Sequence, residues 1–122
     1  LAVQHLPKQD DFLESMAAAA QGEADYFGKN IIYINVMYNM SVDCDCDSHP
    51  TDPKLNEGIL ASTDPVALDQ ACLDLVFNHK GKPGDDEKPL IERINRQHGT
   101  CITVYAEQIG LGSRTYQLVK IK

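Results

Sequence analysis

Residues 43–49 put three carboxylates, two thiols and an imidazole into one short stretch: Asp43, Cys44, Asp45, Cys46, Asp47 and, after Ser48, His49. These are metal-binding side chains, and no ordinary folding need asks for them together. An extended backbone would turn Asp43, Asp45 and Asp47 to one side and Cys44 and Cys46 to the other, so a turn is required to gather mixed ligands. With thiolates as anchors, Cys44 and Cys46 would hold zinc or iron, and His49 or a carboxylate would complete a tetrahedron. The C-x-C spacing is a weaker signal than paired C-x-x-C motifs. With carboxylates as anchors, Asp43, Asp45 and Asp47 fall on the first, third and fifth positions of a calcium loop. Ser48 then stands where that loop has glycine and Lys54 where it has glutamate, which rejects an EF-hand. The plain alternative is a solvated acidic turn whose two thiols tuck inward, because free cysteine is often simply buried.

Other chemistry-bearing residues are more scattered. Asp64, Asp69 and Asp74 share a helical stretch, but steps of five turn each by roughly 140° from the last, so they form no line of ligands. Asp64 precedes Pro65 and reads as a helix cap. Asp69 lies among Ala67, Leu68, Ala71 and Cys72; its carboxylate either reaches the Asp-Cys loop, as a metal ligand or a general acid or base, or faces water. Cys72 reads as a small core residue. His5, His79 and His98 are expected to be isolated on the surface, with no Ser-His-Asp or Cys-His arrangement among them. Gly110-Leu111-Gly112-Ser113 follows a helix rather than opening one, so it reads as a helix stop and not as a phosphate cradle.

The elements that must position these residues follow from periodicity. Asp11 with Glu14 opens a helix over 11–26, in which Phe12, Met16, Ala19 and Ala20 recur at helical spacing until Gly28. An apolar run over 30–38 predicts a strand buried on both faces, and it leads into a polar loop over 39–57 that carries the Asp-Cys run. A short strand over 58–62 follows. Asp64-Pro65 then opens a helix ending near Asn78, and residues 79–87 form a surface turn. Leu90, Ile91 and Ile94 mark one helix, and Ile102, Tyr105, Ala106 and Ile109 another. Residues 114–121 read as a closing strand. The expected fold is therefore α/β: a small, mostly buried sheet of about three strands flanked by about four helices, in the order α-β-loop-β-α-α-α-β.

At 122 residues the chain is one domain's worth, long enough to hold a core without staples. It starts at Leu1 without a signal-peptide pattern, and the expectation is a single domain over 1–122, excised from a longer protein. A net charge of −7 with eleven scattered basic residues argues against nucleic acid and anionic membranes. No apolar run approaches the roughly 20 residues of a membrane span. Of the four cysteines, Cys44 and Cys46 are too close to bridge easily and Cys72 falls in a helical pattern. A reduced, cytoplasmic setting fits better than two disulfides.

Three stretches together carry a family resemblance: Tyr33-Ile34-Asn35-Val36 leading to Asp43-Cys44-Asp45-Cys46; Gly58-Ile59-Leu60-Ala61-Ser62-Thr63-Asp64-Pro65-Val66-Ala67-Leu68-Asp69-Gln70-Ala71; and Tyr105 to Tyr116, with its Gly110-Leu111-Gly112-Ser113-Arg114. From about Phe12 to Ile121 the chain resembles the C-terminal part of an uncharacterised iron-sulfur-associated family, domain of unknown function 362. Relatives of that type carry ferredoxin-like 4Fe-4S motifs upstream, and this chain has no C-x-x-C-x-x-C run. The resemblance implies an auxiliary metal-binding domain of an iron-sulfur redox protein, whose partner is the remainder of the parent chain, including a ferredoxin-like region. It maps the family's cysteines onto Cys44 and Cys46 and its helix-borne acid onto Asp69, and transfers no catalytic role. Two alternatives stand beside it: an enzyme domain with an acidic pocket built on Asp43 or Asp69, and a packing domain whose open sheet edges pair isolated copies into a homodimer.

Overall fold

The computed structural model describes residues 8–43, 55–81 and 86–122. Their elements are α1 (Gln9–Phe27), β1 (Tyr33–Met37), β2 (Gly58–Ser62), α2 (Pro65–Phe77), α3 (Lys88–Arg96) and α4 (Cys101–Gln108). β1 and β2 pair antiparallel, with Tyr33 opposite Ser62, Asn35 opposite Leu60 and Met37 opposite Gly58. Alternation along each strand sends Tyr33, Asn35, Met37 and Leu60 inward. It sends Ile34, Val36, Ile59 and Ala61 outward, where they are exposed. An isolated bridge between Met40 and Leu55 continues the pairing beyond the strands. Glu57 N–H also donates to Met37 O at 2.8 Å, so the two ends of the long connection are pinned together.

α2 is the central element. Asp64 sits in extended backbone at its N-cap, and its carboxylate Oδ1 accepts from the amides of Val66 and Ala67 at 2.9 and 3.0 Å. Pro65 takes the first helical position, where its missing N–H leaves nothing unsatisfied. One side of α2 covers the inner sheet face: Leu68, Ala71 and Val76 are buried with Met37, Leu55 and Leu60, and Leu90, Ile91 and Ile94 of α3 close the rim. Its other side gives Val66 to a second cluster with Ala17 of α1 and Ala106 of α4. The order of layers is thus sheet, α2, α4, α1.

Residues 112–116 are strapped onto these helices. Asp64 Oδ2 accepts from the Ser113 amide at 2.8 Å, and Glu107 Oε2 accepts from the Arg114 amide at 2.6 Å. Gln70 Oε1 accepts both Arg114 Nε and the hydroxyl of the buried Thr103, each at 2.9 Å. The Tyr116 hydroxyl donates to Asp74 Oδ2 at 2.7 Å. A Cβ on Gly112 would lie 2.0 Å from Asp64 Oδ1, so only glycine lets the strap seat against the α2 cap.

Several expectations are corrected. The described residues contain two strands, not about three, and the order is α-β-β-α-α-α. Residues 114–121 form no strand because their polar anchors lie on α2 and α4 instead of on a strand edge. Among the described residues the sheet is covered on one face only: Ile32, Ile34, Val36, Tyr38 and Ile59 are between 63 % and 72 % exposed. α1 starts at Gln9 with no side-chain cap, and it buries Leu13 and Ala17 rather than Phe12 and Met16, which are about half exposed. Its seam with α4 is narrow, and the buried stripe is rotated by one residue from the one that periodicity suggested.

Candidate metal centre

Three ligand-type side chains converge where α1 meets the start of α4. Asp10 lies in the first turn of α1, Cys101 is the first residue of α4, and His98 lies in the turn between α3 and α4. That turn has a definite construction. His98 N–H donates to Asn95 O at 3.1 Å and Gly99 N–H to Ile94 O at 2.8 Å, the paired bonds of a Schellman motif closing α3. The motif needs a left-handed residue after the C-cap Gln97. Glycine usually supplies it, yet here it is His98, at φ 55. Cys101 N–H then donates to His98 O at 2.9 Å, and α4 begins.

A non-glycine residue held left-handed carries strain of about 1 kcal/mol or more, and such strain concentrates at functional sites. The conformation brings His98 Nδ1 within 2.8 Å of Asp10 Oδ1. Cys101 Sγ lies 3.9 Å from the same oxygen. The three ligand atoms are all within 4.8 Å of one another. Zinc bonds of about 2.0–2.3 Å would set neighbouring ligand atoms roughly 3.3–3.7 Å apart in a tetrahedron, so small side-chain rotations suffice. Asp10 and His98 are a little over half exposed, at 56 % and 57 %, and Asp10 and Cys101 open onto a cleft of about 320 Å³ that Glu14, Thr100, Val104, Tyr105 and Gln108 also line. Two side-chain bonds tie α1 down, one beside the site, from Gln9 Nε2 to Gln97 O at 3.0 Å, and one toward the other end of the helix, from Gln21 Nε2 to Ile109 O at 2.7 Å.

This arrangement suits a cation better than nucleophilic catalysis. In a Cys-His-Asp relay the thiol meets the imidazole nitrogen that the carboxylate does not. Here imidazole and thiol both approach one carboxylate oxygen, as ligands around a shared centre do. A cation would displace the imidazole Nδ1 proton to Nε2 and the thiol proton to solvent. An imidazole, a carboxylate and a thiolate favour zinc among common biological cations over calcium or magnesium, which take oxygen ligands.

The residues singled out by sequence fare differently. Cys44, Asp45, Cys46, Asp47 and His49 lie outside the described residues, as does His5. Asp43 Oδ1 accepts from Arg93 Nη2 at 2.7 Å. Asp69 is exposed and accepts from Asn35 Nδ2 at 2.9 Å. Among the described residues neither joins a group of three metal-type ligands. Cys72 is half-buried and unligated; burial outweighs the opposing Asn35 hydrogen bond and, with a smaller push from the Asp69 charge, drives its thiol up and keeps it protonated. Two histidines expected to be isolated are not. His98 belongs to the cluster just described, and the His79 side chain, 9 % exposed, pairs through Nδ1 with Glu57. Asp64 is a cap, as expected, and Gly110, at φ 83, follows the end of α4. The spacing of His98 and Cys101 around Gly99 was the one local signal for the cluster; Asp10 is 88 residues from His98 in sequence, beyond any spacing argument.

Among the described residues, no helix is long and apolar enough to cross a membrane. No curated protein and no solved structure matches the chain. The family described as Domain of unknown function (DUF362) matches residues 2–74, a span that includes Asp10 and the Asp-Cys run, ends within α2, and leaves out His98, Cys101 and the 105–116 stretch. With more than half of its length matched, the chain belongs to the DUF362 family.

Proposed function

We propose that this domain binds one zinc-like divalent cation through Asp10, His98 and Cys101. The observation that carries this reading is the convergence of three different ligand atoms within 4.8 Å around a histidine held left-handed. A free thiol ligand calls for a reducing compartment, so a cytoplasmic setting belongs to the reading. The Asp43 to Asp47 run, with His49 and Asp69, is a separate proposed site for zinc or iron, resting on its residues and on the family resemblance. On that finer reading the domain is auxiliary to an iron-sulfur redox protein and works beside a ferredoxin-like region of its parent. Calorimetric zinc titration of the metal-stripped chain carrying Cys44→Ser and Cys46→Ser, so that the Asp-Cys run offers no thiol, in buffers of different ionisation enthalpy tests the Asp10 centre. Release of about one proton per zinc is expected from the thiol, and Cys101→Ser should remove both the heat and the proton. Unchanged binding by Cys101→Ser would sink the reading.

The bare sheet face supports a second reading, as a packing domain. Ile32, Ile34, Val36, Tyr38 and Ile59 are uncharged, contiguous and at least 63 % exposed. At on the order of 100 Å² apiece they make an apolar patch of roughly 500 Å², near the upper end for a monomer. With its rim, such a patch approaches the roughly 800 Å² per partner of a stable interface, and a second copy of the chain is the occupant proposed. Sedimentation should show a dimer that Val36→Asp dissociates; a monomer at every concentration removes this reading.

A further inference from the structure

We infer that Glu14 supplies a fourth ligand, so that the centre is closed by protein on all sides and clamps α1 onto the start of α4. The inference rests on the cation binding at Asp10, His98 and Cys101 argued above. Asp10 and Glu14 are four residues apart on α1, and that spacing stacks two side chains on one helix face, about 5–6 Å apart at Cβ. Helices present two ligands to a single zinc at this same spacing. Glu14 lines the same cleft as Asp10 and Cys101. It makes no hydrogen bond or ion pair among the described residues. Its carboxylate is not one of the three convergent atoms, and ligation therefore requires rotation of its flexible side chain toward Asp10.

A closed site has a structural consequence that an open one lacks. Sites with three protein ligands keep a water for chemistry, whereas four-ligand sites hold parts of a fold together. α1 buries only Leu13 and Ala17, and its contacts with other elements are chiefly with α4. A cation gripping two α1 residues, the 97–100 turn and Cys101 would fasten the N-terminal half of α1, which its apolar contacts secure weakly. Glu14 would act there as the residue that selects a tetrahedral metal and excludes solvent from it.

Cobalt(II) titration of the metal-stripped chain, with Cys44→Ser and Cys46→Ser in every sample so that the Asp-Cys run offers no thiol, followed by its visible ligand-field spectrum and by amide hydrogen exchange in α1, tests this. The chain otherwise wild-type should give an intense tetrahedral spectrum with slowed exchange in α1. Glu14→Gln should weaken binding by roughly tenfold or more and shift the spectrum toward a water-containing geometry, while Glu23→Gln, elsewhere on α1, should change neither. Circular dichroism on each variant confirms that the helices remain. If Glu14→Gln binds with wild-type affinity and spectrum while Cys101→Ser does not bind, the clamp is refuted and the three-ligand site survives. If the otherwise wild-type chain takes up no cobalt, the underlying site fails as well.

Discussion

Replacing His98 by glycine should stabilise the metal-free protein relative to His98→Ala while both variants lose the metal. The left-handed backbone at residue 98, φ 55, is fixed by the two bonds of the Schellman motif. A residue with a Cβ pays about 1–2 kcal/mol for that conformation. Glycine avoids this, but its freer unfolded chain gives back about 0.5–1 kcal/mol. Glycine should therefore exceed alanine by about 0.5–1 kcal/mol, the reverse of their usual order in and around helices. Both variants lose the exposed contact to Asp10, so that loss cancels in the comparison. For a domain of this size the difference corresponds to a Tm gap of roughly 2–5 °C. Urea and calorimetric denaturation in the presence of a chelator would measure it. Equal stability of the two variants, or a more stable alanine, would refute the strained turn and with it the argument that His98 is held there for a ligand's sake.

Two further outcomes follow from the strap over α2. Gly112→Ala puts a methyl 2.0 Å from Asp64 Oδ1, so the carboxylate must leave the amides of Val66, Ala67 and Ser113; a loss of about 1–3 kcal/mol is expected in urea denaturation, and an unchanged midpoint would contradict the packing. The hydrogen bond to Asp74, ahead of desolvation and the Asp74 charge, pushes the Tyr116 hydroxyl up to about 12. Because the folded value lies above the unfolded value of about 10, the contribution of this bond is fully present below pH about 10 and is lost as pH rises through about 12. Wild type should be more stable than Tyr116→Phe near neutrality, and the gap should close over that window; a gap constant with pH would show that the hydroxyl does not hold the strap.

Much of the fold was legible where local chemistry and tertiary packing agree. β2 and α2 came directly from Gly58 to Ser62 and from Asp64-Pro65, because the cap and the proline act within a few residues. The tail misled because Thr115, Tyr116, Leu118, Val119 and Ile121 have strand-forming character, yet Arg114 and Tyr116 are engaged by Gln70 and Asp74 on a helix. Along 30–38 the continuous apolar pattern is the same whether one or both sheet faces are covered, so periodicity could not reveal the bare face. α1 is rich in alanine, which favours helix without marking a buried side, so the periodicity of Phe12 and Met16 runs one residue away from the buried Leu13 and Ala17. The cluster was the least legible part. Its carboxylate joins the other two ligands only through the packing of α1 on α4, while the Asp-Cys run advertises its ligands locally.

The central claim, a metal centre at Asp10, His98 and Cys101, is tested most directly by zinc stoichiometry in a chain from which the loop thiols have been removed. Cys44→Ser with Cys46→Ser leaves the Asp10 centre intact, and Cys101→Ser added to that pair removes its thiolate. One equivalent of zinc in the double variant and none in the triple variant is the expected result. No zinc in the double variant, or an equal amount in both, would contradict the assignment.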